Sequence, residues 1–319
     1  MTHHSSLPLV IVNPASADGA TRTAWPKIVS DLRRHFGPFS VAMTEATGHG
    51  RRLAAEAARQ GTKLIIACGG DGTISEVANG ILESNKEAEL GILPSGTGGD
   101  FRRTLRLPAK TAAAARALRD GRTRLIDAGR VILVNDEGER ETRFFVNVAS
   151  FGMSTAVLER QRSGDAKKWL PSFGSRKIGS KLAYAAATVQ TTIASAPIEV
   201  YVQLDDQAER RLRLAELAIA NARYYGGAMK IAPDAKLDDG FFNVVMIGAA
   251  GAFRILANSP RLYFGTHLGM DEVSQALAQQ ILARAVNKDE PIAVELDGEV
   301  VGRLPATFQV VPGALRVRS

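Results

Sequence analysis

The chain has 319 residues, 45% of them hydrophobic and 23% charged, with a formal charge of +7 at pH 7. That length suits two domains with a core each, and no run approaches the roughly 18 apolar residues of a membrane-spanning helix. The single cysteine, Cys68, excludes an internal disulfide, while the basic balance favours anionic partners without choosing among nucleotides, anionic lipids and nucleic acid.

The N-terminal stretch MTHHSSLPLVIVNP lacks the basic and apolar regions of a secretory signal, so a cytosolic protein is expected. Leu7 to Val12 predict a buried strand ending at Asn13-Pro14. Trp25, Ile28, Val29, Leu32 and Phe36 recur at helical spacing. A strand near Phe39 to Met43, an Ala-rich helix from Arg51 to Gln60 stopped by Gly61, and a strand from Lys63 to Cys68 follow. Ile74, Val77, Ala78, Ile81 and Leu82 make one helix face, and a strand at Leu90 to Leu93 and a helix at Thr111 to Arg119 complete the run. Alternating strands and helices imply βαβ units and a parallel sheet.

The pattern changes near Asp127. Strand-like runs dominate at Ala128 to Val134, Arg143 to Val148, Ile198 to Leu204, Leu212 to Ala220, Phe241 to Ile247 and Ile292 to Leu296. Helical segments are expected at Gly179 to Ile193 and at Ala252 to Tyr263, the latter with Pro260 inside it. This half reads as an antiparallel β domain. The expected division is 1–128 and 129–319.

Two glycine-rich junctions carry the chemistry. In Cys68-Gly69-Gly70-Asp71-Gly72-Thr73-Ile74-Ser75-Glu76 a buried strand meets a helix. Thr73 and Glu76 fit a capping box, so the helix is expected to begin there. Glycines at such a junction let backbone N–H groups approach a phosphate at a helix N-terminus. Asp71, a lone acid in this glycine loop and a candidate catalytic residue, would repel a phosphate unless a cation intervened, which suggests a Mg²⁺-nucleotide site; a plain tight turn is the competing reading. The second junction, Leu93-Pro94-Ser95-Gly96-Thr97-Gly98-Gly99-Asp100-Phe101, again follows a strand. In a parallel sheet both would lie at the carboxyl ends of strands, where such sheets bind ligands.

GGDGTISEVANG and LPSGTGGDF, with Asn13-Pro14 upstream, resemble the catalytic domain of the diacylglycerol kinase family, which includes sphingosine and ceramide kinases and soluble bacterial lipid kinases. Asn147-Val148-Ala149-Ser150-Phe151-Gly152, Tyr225-Gly226-Gly227, Ala232 to Gly240 and Leu296-Asp297-Gly298-Glu299 follow in family order. The resemblance implies an α/β nucleotide-binding domain like that of NAD kinases and phosphofructokinases, followed by an antiparallel β-sandwich. It allows the last strand, near Ala314 to Val317, to return to the first domain. The implied reaction is transfer of the ATP γ-phosphoryl group to a lipid hydroxyl, with Mg²⁺ and with diacylglycerol the leading acceptor. A sphingoid or ceramide-type kinase, an NAD kinase-like enzyme and a non-catalytic lipid-binding relative are the alternatives.

Carried over residue by residue, Asn13, Thr44, Gly69, Gly70, Asp71, Gly72, Thr73, Ile74, Ser75 and Thr97 would line the ATP site, and Lys181 would reach the phosphates. Lys236, Asp239 and Phe241 match magnesium-binding positions, Phe241 through its carbonyl only. Glu299 matches the proposed proton acceptor, with Asp297 as the second choice. Many relatives carry Asn where this chain has Gly99. Residues Arg160 to Lys181 mix Arg162, Lys167, Lys168, Arg176 and Lys177 with Trp169, Leu170 and Phe173, a composition suited to an anionic membrane surface or to a solvated loop. Peripheral contact with the inner membrane is expected, a homodimer is allowed, and no nucleic-acid motif accompanies the charge.

Overall fold

The computed structural model describes residues 7–95, 99–135, 137–162, 196–249 and 252–319. Its first region runs β1 (Leu9–Val12), α1 (Ala20–His35), β2 (Ser40–Met43), α2 (His49–Arg59), β3 (Leu64–Gly69), α3 (Asp71–Ser84), β4 (Glu89–Pro94), α4 (Asp100–Thr104) and α5 (Thr111–Asp120). The strands pair in parallel in the order β2-β1-β3-β4. β3 is buried along its whole length, as a strand covered on both faces must be. Leu64, Ile66 and Cys68 pack with Ile28 and Leu32 of α1 and Ala114 and Leu118 of α5. Ile65 and Ala67 pack on the other side with Ala54 of α2 and Ile74 and Val77 of α3. Gly80 lets α2 come close, since a Cβ there would meet the Arg51 carbonyl oxygen at 2.2 Å.

The second region contains β5 (Thr123–Val134), β6 (Arg140–Phe145), β7 (Val148–Gly152), α6 (Met153–Arg162), β8 (Ile198–Leu204), β9 (Arg210–Ala220), β10 (Phe242–Gly248), α7 (Ala252–Phe264), a 3₁₀ turn (His267–Gly269), β11 (Val273–Ala278), β12 (Gln280–Ala285), β13 (Ala293–Leu296) and β14 (Glu299–Arg318). Its strand pairs are antiparallel. Phe145, Phe151, Phe242 and Phe308 fill its core, with Phe145 stacked on Phe242 at 5.4 Å between ring centroids.

β14 joins the two regions. It pairs with β13 at its start, with β12 and β5 along its middle, and in parallel with β4 through Arg316 and Val317. Leu315 and Val317 enter the same core as Ile65, Val77 and Leu90, together with Ile126, Val146, Ala222 and Leu237. The first region therefore completes its core with side chains from the second.

The structure differs from the sequence expectations at several places. The run Arg143 to Val148 is not one strand: it breaks at Val146 and Asn147 between β6 and β7. α4, β11 and β12 were not foreseen. The capping box is also corrected. α3 begins at Asp71 with Gly70 as its N-cap and no side-chain cap, because Glu76 turns away to accept the backbone N–H groups of Gly48 and Gly50, both at 2.8 Å. The helix expected at Gly179 to Ile193 lies outside the described residues.

Candidate active site

The strand order places a topological switch between β1 and β3: the chain leaves β1 toward β2 on one side and reaches β3 on the other. Crevices outside the carboxyl ends of strands at such a point are where open α/β sheets take ligands. Asn13 follows β1 and the first glycine loop follows β3. They meet there, Asn13 Nδ2 donating to Thr73 Oγ1 at 3.2 Å. Thr44, at the end of β2, is buried and donates its N–H to Val12 O at 2.8 Å.

The glycines of the first loop have different reasons to be glycine. At Gly69 a Cβ would lie 2.3 Å from Thr73 Oγ1, so packing inside the protein forbids a side chain. At Gly70 and Gly72 an added Cβ would meet nothing within 4 Å. Gly70 sits at φ −90°, a conformation any residue adopts. Neither position is constrained by the protein itself, and both leave open ground over the N-terminus of α3. Ile74, by contrast, is 2% exposed and belongs to the core, so only its backbone can face a ligand.

Asp71 is not the lone acid that the sequence suggested. Its Oδ2 accepts the N–H of Gly99 at 2.7 Å and of Asp100 at 3.1 Å, and its Oδ1 accepts that of Phe101 at 3.1 Å. The carboxylate is thus spent on the first turn of α4, where the N-terminal N–H groups lack helical partners, and it binds the two glycine loops together. Gly99 has φ +82°, a left-handed conformation that glycine adopts freely and that asparagine tolerates better than most residues. That accounts physically for either residue at this position. Thr97 lies outside the described residues. Ser95 at the end of β4 is held by Ser16 and Thr21, whose hydroxyls donate to its carbonyl, both at 2.9 Å.

Other polar side chains serve as ties, Asp100 and Asn79 between the two regions and Asp127 within the second. Asp100, 4% exposed, accepts the N–H groups of Gly227 and Ala228, both at 2.8 Å, and pairs with Arg103 at 2.7 Å. Burial raises its pKa, partly opposed by those donors. Asp127 accepts from Gly240 at 2.7 Å and Gly313 at 2.8 Å. Asn79 clasps the backbone of Phe144 in both directions, each at 2.9 Å. Sequence reasoning left out Asp100, Asp127 and Asn79, although Asp100 and Asn79 stand inside the quoted motifs.

The Asp297-Gly298 turn joins β13 to β14 and faces α3. Asp297 has φ +51°. Its Oδ1 accepts the N–H groups of Asn147 at 2.9 Å and Val148 at 3.1 Å, and its Oδ2 that of Val146 at 3.0 Å. The break between β6 and β7 exists to aim these donors. Burial pushes the Asp297 carboxyl up to about 6, against the pull of those N–H groups and of the Ser75 hydroxyl. Ser75 thereby brings the first glycine loop and the turn together. Glu299 is more open, its side chain 36% exposed, and one oxygen stands 3.9 Å from Arg143 Nη2. Arg143 also pairs with Glu141, which pairs with Arg51 of α2.

Lys236 is exposed and Asp239 half-buried, and Asp239 Oδ1 accepts the Phe241 N–H at 3.1 Å. Asp234, Lys236, Asp239, Asn243 and Gln275 line a cavity of about 420 Å³ that includes no residue of the glycine loops. Among the described residues no three acidic, histidine or cysteine side chains cluster to hold a metal. Lys181 and the basic segment from Ser163 onward lie outside the described residues; Arg160 and Arg162 end α6.

Residues 8–131 match the model of the diacylglycerol kinase catalytic domain, and residues 172–319 match that of the YegS C-terminal NAD kinase beta sandwich-like domain. A diacylglycerol kinase of Mycobacterium tuberculosis is 30% identical over 309 residues, covering 96% of this chain and 93% of that protein. One of Staphylococcus epidermidis is 30% identical over 302 residues, 94% and 87% respectively. A solved structure of a diacylglycerol kinase from Bacillus anthracis str. Sterne shares the fold with a TM-score of 0.69 at 20% identity, covering 100% of this chain and 98% of the other.

Proposed function

This chain belongs to the diacylglycerol kinase family, a kinase family with ATP as co-substrate, and from that premise we propose that it transfers the γ-phosphoryl group to a lipid hydroxyl, converting diacylglycerol to phosphatidic acid. The observation that carries the reading is the open ground over Gly70 and Gly72 at the switch between β1 and β3. Backbone N–H groups at the start of α3 can approach phosphate oxygens there without interference from side chains. Asp71 keeps the second glycine loop in register beside them.

In the reaction the lipid oxygen bonds to the γ-phosphorus, the bond to the bridging oxygen of ADP breaks, and the hydroxyl proton needs an acceptor. Both oxygens of Asp297 already receive donors, so it is suited to fixing the turn. Glu299, two residues on and half-exposed, is the more accessible of the two acids to an acceptor lipid. We assign Glu299 as proton acceptor and Asp297 as the residue that positions it. The Asp239 loop supplies a carboxylate and backbone carbonyls, Lys236 contributing only through its carbonyl because its ammonium repels a cation. Oxygen-only donors suit Mg²⁺, which when bound with ATP screens phosphate charge. No helix among the described residues is long and apolar enough to cross a membrane. Peripheral docking on an anionic surface is part of the proposal, supported by the charge of +7.

The test supplies γ-labelled ATP with anionic vesicles carrying diacylglycerol, ceramide or a sphingoid base, and separately with NAD. Label in phosphatidic acid is the expected result; label in NAD alone overturns the reading. Gly70→Ala sharpens it. Stability should stay within about 0.5 kcal/mol while KM for ATP rises about tenfold, equivalent to roughly 1.4 kcal/mol of binding. An unchanged KM would remove Gly70 from the phosphate site.

A further inference from the structure

The second region holds buried acids that the phosphoryl-transfer reading leaves unused. Glu216 on β9 is 0% exposed and Glu295 on β13 is 6% exposed. They lie on opposite sides of β7, Glu216 facing Gly152 and Glu295 facing Ser150 across their ladders. Gly152 has φ +126°, and a Cβ there would come 2.5 Å from the Ala215 carbonyl oxygen and 3.1 Å from Glu216 Oε2. Only glycine lets the Glu216 carboxyl reach the first turn of α6. There Oε2 accepts the Ser154 N–H at 2.9 Å.

Three short oxygen-oxygen contacts then run in series. Glu216 Oε1 lies 2.6 Å from Ser154 Oγ, Ser154 Oγ lies 2.8 Å from Ser150 Oγ, and Ser150 Oγ lies 2.9 Å from Glu295 Oε2. Each hydroxyl carries one proton and donates once. Three contacts need three protons, and two serines supply two. With both carboxyls ionised, the serines would both donate outward and their oxygens would face each other unprotonated, beside two buried like charges. One proton on a carboxyl completes the series. At the far end Glu295 accepts the backbone N–H of Gly298, in the turn that carries Asp297 and Glu299.

We propose that Glu216, Ser154, Ser150 and Glu295 form a buried hydrogen-bond chain holding a single extra proton, one carboxyl neutral and the other ionised, and that this chain positions the Asp297-Gly298 turn from behind. Glu216 is the neutral end. Burial pushes its carboxyl up to about 8, against the Ser154 hydroxyl and N–H, and the charge of Glu295 acts in the same direction as burial. Glu295, also raised by burial and by Asp297, is the ionised end because it must accept from both Ser150 and Gly298. Glu295 acts on Glu216 and Asp297 acts on Glu295, and among the described residues no cation is paired with either acid. The positioning role rests on the assignment of Glu299 as proton acceptor, whereas the proton count stands apart from it.

Infrared difference spectra of the full-length protein near pH 7 test the count. The wild type should show one buried protonated-carboxyl C=O stretch that both Glu216→Gln and Glu295→Gln abolish, because the surviving acid ionises once its partner is a neutral amide donor. A band that persists in each single variant means two independently neutral acids and overturns the shared proton, as does its absence from the wild type. Turnover tests the positioning. Glu216→Gln keeps a donor to Ser154 and should retain kcat with a flattened alkaline limb, whereas Glu216→Ala should lower kcat with KM for ATP unchanged. A folded Glu216→Ala protein with wild-type kcat and pH profile overturns the positioning role. A wild type that phosphorylates no lipid defeats the proposed activity instead, and the infrared result stands without it.

Discussion

The acids at the glycine-loop end, on a helix and half-buried, and those behind the Asp297 turn, on strands and fully buried, are held by different means. Asp71 and Glu76 are satisfied by backbone N–H groups of loops that begin helices. Helix N-termini offer such donors without any side chain having to be built for them. Glu216 and Glu295 lie inside an antiparallel sheet, where ladder bonding consumes the strand N–H groups; each keeps one backbone donor, Ser154 and Gly298 respectively, and beyond these they depend on two serine hydroxyls and on a proton. Asp297 stands between these cases, with N–H donors freed by a strand break but with its carboxyl pushed up to about 6 by burial. The same residue type therefore acts as a fixed anchor at one end of the molecule and as a protonatable one at the other.

The largest effect should separate chemistry from anchoring. Glu299→Gln is expected to lower kcat by about 10²–10⁴-fold with stability and KM for ATP retained. Asp297→Asn is expected to lower stability by about 1–3 kcal/mol, since an amide nitrogen replaces one of the two oxygens that accept backbone N–H groups and leaves a buried donor unpaired, as read from the urea midpoint. A stable, inactive Asp297→Asn beside an active Glu299→Gln would exchange the two roles. Next in size, Asp71→Asn should cut kcat about 100-fold by letting the second glycine loop shift, since a displacement of roughly 1 Å can cost that much. Turnover near wild type in that variant would show that the loops keep register without the charge.

A third prediction concerns pH. Glu216 and Asp297 have folded pKa values above their unfolded ones, so the native state holds their protons more tightly. Their stabilisation is full below the unfolded values, roughly pH 4. It is lost as pH rises toward about 6 for Asp297 and about 8 for Glu216. The urea midpoint should fall across that window, and Glu216→Gln should flatten the fall. An unfolding free energy that rises across the window in the wild type would contradict the protonatable anchor. The smallest effect has the opposite sign. Glu89 is desolvated, but its bonds to Arg318 and Thr123 prevail and lower its pKa. Its contribution is present above the unfolded value and lost as pH falls. Because Glu89 and Arg318 are partly exposed, Glu89→Gln should cost less than about 1 kcal/mol, a small drop in Tm at pH 7 that vanishes in acid.

The first region was the more legible of the two from sequence because its strands are apolar runs and its helices keep a single apolar face. The second was read less well for identifiable reasons. β11 is mostly exposed and carries Ser274 and Gln275, while β12 buries Ile281 and Ala283 but has the apolar Leu282 on its open side, which blurs the alternation in sequence. Pro305, Pro312 and Gly313 look like breakers, yet all lie within β14, which absorbs them at register shifts between Arg303 and Thr307 and between Val311 and Leu315. The glycine loops and the Asp297 turn were visible as motifs, but what their acids bind was not. Asp71 finds its partners within the second motif, whereas the donors to Asp297 come from Val146 to Val148, about 150 positions away. Side-chain to backbone bonds of that reach leave no periodic trace.

β14 also bears on the order in which the molecule can be assembled. Glu89 at the start of β4 meets Arg318 across 229 positions of sequence, and Leu315 and Val317 fill gaps left in the core of the first region. Contacts that distant close large loops before they yield any stabilisation. As the chain emerges from the ribosome, the parallel strands can therefore align early but cannot seal their core until β14 is made. The nucleotide end and the turn that carries Glu299 are expected to mature in one late step, so a shortened chain ending before β14 should yield an open, aggregation-prone sheet edge at β4 rather than a half-enzyme that binds ATP.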